Sequence, residues 1–320
     1  MNWRVKGMLQ QVLGRLPGGE RVHYLLQRRL GGLRNFGREF DVKVDDWNLM
    51  AGHLRDAGRA IPGARLFEIG SGWYPTFPFA CYLAGASSVI TVDLSAHLKP
   101  ELVRACAAGL GRHTGMIALA SGTPEAEVRE RQQRLVRELD GGTDCRDLGA
   151  ATAGVVTYDA PSDATKTRLG AGAVDCIFSN SVLEHVPPDA IDAMYSEAMR
   201  ILAPGGIMFH SVNCGDHYAY VDRNINQLHY LQYSDAAWAR WNNSFLYQNR
   251  MRAHEFVDLA EAAGFTITLN TARPHPQRLR ELAAMRVHSQ FAHVPPEKLC
   301  ITSVDFVARA PDAHATPVQA

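Results

Sequence analysis

The chain has 320 residues, 46% of them hydrophobic, and its 33 Lys plus Arg are matched by 33 Asp plus Glu. That length suits one large α/β domain with extensions, or two small domains. A formal net charge of zero argues against a wholesale nucleic-acid binder, because counterion release needs a concentrated positive surface. No apolar stretch approaches the roughly 18 residues of a membrane-spanning helix. Arg4, Lys6 and Arg15 interrupt the first apolar positions, so no signal-peptide core is expected. Cys81, Cys106, Cys145, Cys176, Cys214 and Cys300 form no C-x-x-C pair. They read as reduced, buried thiols of a cytoplasmic protein, not as a disulfide framework or zinc site.

The first 38 residues stand apart. Arg4, Lys6, Arg15, Arg21, Arg28, Arg29, Arg34 and Arg38 face a single acid, Glu20. Val5, Met8, Leu9, Val12, Leu13 and Leu16, then Val22, Leu25, Leu26 and Leu30, recur at helical spacing on either side of Pro17-Gly18-Gly19. Two short amphipathic helices are therefore expected. They suit a lid on the main domain, and a basic amphipathic helix also suits peripheral contact with an anionic membrane. We divide the chain into a helical lid (1–60), a main domain (61–310) and a tail (311–320).

From residue 64 short apolar runs alternate with helical ones. ARLFEIG, SVITVDLS, GVVTYDA, VDCIFSNS, GIMFHSV, FTITLN and SVDFVAR read as seven strands. The stretch 189–202, with Ile191, Met194, Ala198 and Leu202 on one face, reads as a helix between two of them. Strands alternating with helices predict an α/β, doubly wound sheet. Two segments exceed a simple crossover. Residues 96–153 include a charged helix at 125–139, and residues 213–250 hold eight of the 27 aromatics. Loops at the carboxyl ends of strands build the ligand site in such sheets, so both insertions are candidates for specificity.

Glu68-Ile69-Gly70-Ser71-Gly72-Trp73-Tyr74-Pro75 follows the first strand and opens a helix. Gly70 and Gly72 permit a tight turn and close approach of backbone N–H groups to a ligand. A dinucleotide fingerprint would have a third glycine where Pro75 stands, which argues against NAD. Asp93 ends the second strand, 25 residues after Glu68, at a distance where an acid can accept ribose hydroxyls.

These motifs resemble those of class I S-adenosylmethionine (SAM)-dependent methyltransferases, in particular small-molecule enzymes of the type 11 kind. The resemblance rests on E-x-G-x-G, on Asp93, on DCIFSNSVLEHV (175–186), on AMRILAPGGIMFHSV (198–212) and on RMRAHEFVDLAEAAGF, closed by Gly264. It covers about residues 60–310, and Trp73-Tyr74 is its one departure. It implies a Rossmann-like, seven-stranded, mostly parallel sheet with an antiparallel last strand, and SAM as cofactor. By resemblance Gly70, Ser71 and Gly72 line the methionine portion and Glu68 reaches its amino group; Trp73, at the departure, is a further cofactor-binding candidate. Asp93 holds the ribose beside Leu94 and Ser95. Asp159 and Ala160 meet the adenine, and Ser179 and Asn180 sit beside the sulfonium.

For catalysis the candidates are His185, after the fourth strand, and His217, His229 and Tyr230 in the aromatic insertion. A near-neutral imidazole suits removal of a proton from an oxygen or nitrogen nucleophile. His185 also has a structural reading, and the aromatic stretch a core-packing one. His210 and His217, with six residues between them, match no recognised ligand spacing, so no metal is expected. The sequence thus predicts methyl transfer from SAM to a small-molecule acceptor, a natural-product or saccharide intermediate. Two rivals stay open: non-methyl SAM chemistry, such as cyclisation releasing methylthioadenosine, and a non-catalytic SAM-binding protein. A homodimer is left open as well.

Overall fold

In a computed structural model the chain is described over residues 2–14, 16, 22, 24–25, 28–29, 32–243, 245 and 247–312. Much of the expected second amphipathic helix, including Leu26 and Leu30, lies outside the described residues, as do Pro17, Gly18, Gly19 and residues 313–320 of the tail.

All seven expected strands form: β1 (Arg65–Ile69), β2 (Ser88–Val92), β3 (Val156–Asp159), β4 (Val174–Asn180), β5 (Leu202–Asn213), β6 (Thr266–Asn270) and β7 (Ser303–Arg309). They make one sheet in the order β3-β2-β1-β4-β5-β7-β6. Neighbours are parallel except β7, which runs antiparallel to both β5 and β6. Central strands bury both faces, so they read as continuous apolar runs. Period-2 alternation still sorts their side chains. Leu66, Cys176, Phe178, Ile207, Phe209 and Val307 enter one core. Phe67, Ile177, Met208, Phe306 and Ala308 enter the other. Arg65 ties β1 to β4, its guanidinium donating to both carboxylate oxygens of Asp175 at 3.1 and 2.7 Å. The Pro204-Gly205-Gly206 turn lies within β5, where the register against β4 slips between Leu202 and Ile207.

The helices depart from expectation in three places. Helix Phe36–Asp56, allotted to a lid, buries Phe40, Val44, Trp47, Met50, Ala51 and Leu54 in the first core. That spacing is one face of a helix, so the segment is part of the sheet's cover. Residues 96–153, expected to shape specificity, instead supply helices Pro100–Gly109, Thr114–Ser121 and Glu125–Asp140 to the same layer. The last buries only Val128, Gln132, Leu135 and Leu139 and leaves its charges in water.

The third difference is helix Trp3–Gly14. Its buried residues are Trp3, Gly7, Gln10 and Leu13, while Val5, Met8, Leu9 and Val12 are 45–58% exposed. The indole decides the rotation. Trp3 enters a third core with Tyr218, Leu228, Tyr230, Leu231 and Trp238 of the insertion, and burial of so large a ring outweighs several aliphatics at the rim. Gly7 permits the approach, since a Cβ there would stand 2.9 Å from Tyr218 Oη and 3.0 Å from Trp241 Cε3. All six cysteines are free and buried. Among the described residues no helix is long and apolar enough to cross a membrane.

Candidate functional site

The strand order reverses between β1 and β4, and a crevice opens at the carboxyl ends of strands at such a point. Gly70 and Gly72 turn the chain there with φ of +90° and +66°, values that favour glycine. A Cβ on Gly70 would lie 2.5 Å from Val182 Cγ2. The amide of Gly72 donates to Asp93 Oδ2 at 3.0 Å, which holds the turn against the end of β2.

Glu68 is buried below this turn, where Thr91 donates to its carboxylate and also meets Ser71 Oγ at 2.5 Å. Burial raises the Glu68 pKa to about 8, against the opposing pull of Thr91 and of the Lys43 ammonium. Lys43 reaches in from helix Phe36–Asp56, half-buried, 4.4 Å from the Tyr74 ring centre. Burial pulls its ammonium below the usual lysine range, and Glu68 restores part of the loss. Trp73 packs edge-on against Tyr24 at 5.5 Å, so the N-terminal segment reaches this rim.

A cavity of about 250 Å³ lies beside the turn, lined by Gly70, Asp93, Leu94, Val182, His185 and Met194 and by residues 162–165. The amide of Ser162 donates to the carbonyl of Asp93 at 2.8 Å, which pins that loop over the end of β2. Asp159 and Ala160, expected on the adenine, do not line the cavity. The Asp159 carboxylate instead faces Arg168 at 3.4 Å. The loop that follows them takes the place. Ser95 lies next to Leu94, half-buried, and does not line it either.

Ser179 and Asn180 part company at the end of β4, because adjacent strand residues face opposite ways. Ser179 is fully buried and bonds His210 Nδ1 at 2.7 Å, so it is removed from the rim. Burial pushes His210 down to about 3. Asn180 donates to Asp46 Oδ2 at 3.1 Å. Asp46 projects from the same helix as Lys43. Burial raises its carboxyl, and the nearby Asp305 adds to the rise while Asn180 opposes it. Neither Lys43 nor Asp46 was singled out in the sequence. In the sequence they look like the other charged residues of an amphipathic helix, such as Asp41 and Asp45.

The expected catalytic residues scatter. His185 lines the cavity, and its Nδ1 meets the carbonyl of Tyr247 at 2.6 Å. His217 lies edge-on to it, with ring centres 4.9 Å apart. Burial, His185 and Lys6 together push His217 down to about 3. His229 and Tyr230 belong to the packing of the insertion. His229 Nδ1 meets Asp216 Oδ2 at 2.9 Å and its Nε2 meets the Tyr233 hydroxyl at 3.3 Å, so neither ring nitrogen is left for a substrate. The Tyr230 hydroxyl donates to the carbonyl of Cys214 at 2.5 Å and accepts from Arg252 Nη1 at 2.6 Å. Arg252, fully buried, also donates to the carbonyls of Cys214 and Ile301. Sequence composition could not separate these residues from a binding surface, because a buried polar network and a polar site use the same side chains.

This crevice, at the switch point of a doubly wound α/β sheet, joins the glycine turn, Asp93 and a cavity of about 250 Å³. A methyltransferase domain family matches residues 48–270, and the chain belongs to it, within the class I SAM-dependent methyltransferases. No curated protein matches significantly. Among solved structures the chain is similar to a SAM-dependent methyltransferase from Mesorhizobium loti, at 15% identity over 80% of this chain and 95% of that one, TM-score 0.42. It is similar to geranyl diphosphate C-methyltransferase from Streptomyces coelicolor A3(2), at 16% identity over 82% and 75%, TM-score 0.41. It is also similar to the [4+2]-cyclase SpnF, at 16% identity over 83% and 81%, TM-score 0.42.

Proposed function

We propose that this protein moves a methyl group from SAM to an oxygen or nitrogen of a small-molecule acceptor, a natural-product or saccharide intermediate. The observation that carries the reading is the crevice itself. A left-handed glycine turn, with no room for a Cβ at Gly70, meets a buried carboxylate at Glu68 and a ribose-height acid at Asp93. The fit is chemical as well as spatial. Glu68 is costly to ionise where it stands, and an amino group carrying positive charge would add to the pull that Lys43 already exerts. Asp93 accepts from Gly72 through one oxygen and keeps the other, 3.8 Å from His97, for hydroxyls. Residues 162–165, Val182 and Met194 offer apolar and small surfaces to a planar base.

When bound, SAM supplies a methyl group already activated by its positively charged sulfur. The residues of the chain then have to orient the acceptor, exclude water and take one proton. Asn180 and Asp46 stand at the carboxyl end of β4, and we assign the acceptor's proton to Asp46, whose raised carboxyl is better matched to that task than an ordinary aspartate. Tyr24 against Trp73 supports the reading of the N-terminal residues as a lid. On this reading the acceptor side lies between that lid and the Lys43–Asp46 turn.

The experiment is product analysis with the full chain, SAM and a panel of hydroxylated and aminated small molecules. Methylated acceptor with an equal amount of S-adenosylhomocysteine is the expected result. Methylthioadenosine as the product, or SAM binding without turnover on any acceptor, would overturn it. Asp46→Asn should lower turnover by about 10²–10⁴-fold and leave SAM affinity within twofold.

A further inference from the structure

Beside the cofactor cavity three side chains converge that methyl transfer does not use. Glu184, His185 and His217 each offer a ligand atom, and these atoms lie within 4.8 Å of one another. Glu184 is 1% exposed, and neither of its carboxylate oxygens has a side-chain hydrogen-bond partner, only the pull of the Glu184 and Asn213 backbone. Nε2 of His217 is likewise buried without one. His185 meets the Tyr247 carbonyl through Nδ1. That contact requires Nδ1 to carry the proton, so Nε2 holds a free lone pair. Ligand-type atoms of three side chains thus converge on one small space, and the Tyr247 contact leaves His185 Nε2 an acceptor there.

Burying a carboxylate with no cation or side-chain donor beside it is costly. Lys6 does not fill that role. Its ammonium lies over the Tyr218 ring at 5.7 Å, where Asp216 attracts it. From these observations we infer that Glu184, His185 and His217 form a binding site for one divalent transition-metal ion of the Zn2+ type. Two imidazoles and one carboxylate are a donor set such ions accept, and three protein ligands leave a coordination position open. Bound ligand atoms would stand about 3–3.5 Å apart, given metal–ligand distances near 2.0–2.2 Å. Rotation of the His217 ring and the Glu184 carboxylate has only a small gap to close.

The surroundings are those of a held site. Metal-binding histidines characteristically donate their second nitrogen to a carbonyl or carboxylate, as His185 does to Tyr247. Asn249 fixes the turn that carries Glu184 and His185. Its side chain donates to the carbonyls of Leu183 and Val186 at 2.7 and 2.8 Å, and its amide to that of Glu184 at 2.9 Å. The amide of His217 donates to Gln248 Oε1 at 3.2 Å. Both halves of the site are therefore braced by the same short stretch, residues 247–249. Because His185 also lines the cofactor cavity, the ion would stand in the wall of that cavity.

Binding is tested on the full chain without SAM, so the result does not depend on the methyl-transfer reading. The chelator-treated protein is titrated with Co2+, and uptake is followed by visible absorption and elemental analysis. One equivalent bound, displaced by Zn2+, is expected. Glu184→Gln and His217→Ala should each weaken it by at least about 100-fold, with unchanged circular dichroism. Failure of the native chain to bind, or binding untouched by both substitutions, overturns the site. Should the variants misfold, pulsed electron paramagnetic resonance of the native chain with one equivalent of Cu2+ decides: two coordinated imidazoles support the site, and any other number overturns it.

Discussion

Two regions of the molecule hold the richest mixtures of polar and aromatic side chains, and they use them in opposite ways. Around Gly70 the polar groups are only partly matched. Glu68 has one hydroxyl and the pull of the Lys43 ammonium, Asp46 has one amide, and a cavity lined by Gly70 and Asp93 opens at the same turn. In most of residues 213–250, His217 and the Trp238 indole nitrogen apart, the same residue types close on one another. His229 is taken at both nitrogens, Tyr230 donates and accepts, and Arg250 donates to the carbonyls of Tyr230 and Tyr233 and pairs with Asp235. Buried polar groups must be satisfied somewhere. Where the protein satisfies them itself it builds a core, and where it leaves them wanting it leaves room for a ligand.

The contrast breaks most visibly, if it is wrong, at Trp238. The ring is 2% exposed and packs on Trp3, Tyr218, Tyr230 and Tyr233. Trp238→Ala should cost about 3–5 kcal/mol of stability, read by denaturant unfolding, while calorimetry below the melting temperature finds SAM affinity unchanged. A folded variant that no longer bound SAM would join the two regions into one site. Next in size is Gly70→Val, where left-handed backbone and a contact with Val182 add strain and overpacking. SAM binding should weaken by roughly 2–4 kcal/mol. Asp93→Ala comes third, with SAM affinity lower by about 1.5–3 kcal/mol through loss of a charged acceptor and little change in melting temperature.

The smallest effect is a proton count. The Glu68 pKa is raised from 4.5 to about 8, so the folded chain holds a proton there that the unfolded chain has released. Its contribution to stability therefore declines as pH rises between these values, and Glu68→Gln should flatten that part of the profile. A ligand ammonium would favour the ionised form. SAM binding near pH 7 should then release up to about one proton, measurable as a binding enthalpy that varies with the buffer's ionisation enthalpy. The Glu68→Gln variant should show no such dependence.

Strands were readable because a β-run carries its signal locally, and each of the seven apolar runs lies where the sheet has a strand. The glycine turn and Asp93 were readable for the same reason. What escaped was set by distant partners. The rotation of helix Trp3–Gly14 depends on an aromatic pocket more than 200 residues away, and local periodicity points to the wrong face. Lys43 and Asp46 acquire meaning only when their helix crosses the ends of β1 and β4. Glu184 and His185 are adjacent, but His217 comes 32 positions later, beyond a helix and a strand, so no spacing rule could group them.

Arg252 bears on how such a chain can be rebuilt. Its one guanidinium holds the residue after β5, the insertion's Tyr230 and the residue shortly before β7. An aromatic insertion exchanged between relatives at residues 213 and 250 would strand a buried cation in foreign surroundings. Productive crossover points therefore lie beyond Ile301, and the insertion travels with helix Ala253–Ala262 and everything up to the last strand. Recombination in this fold exchanges the whole carboxyl-terminal third, not a loop.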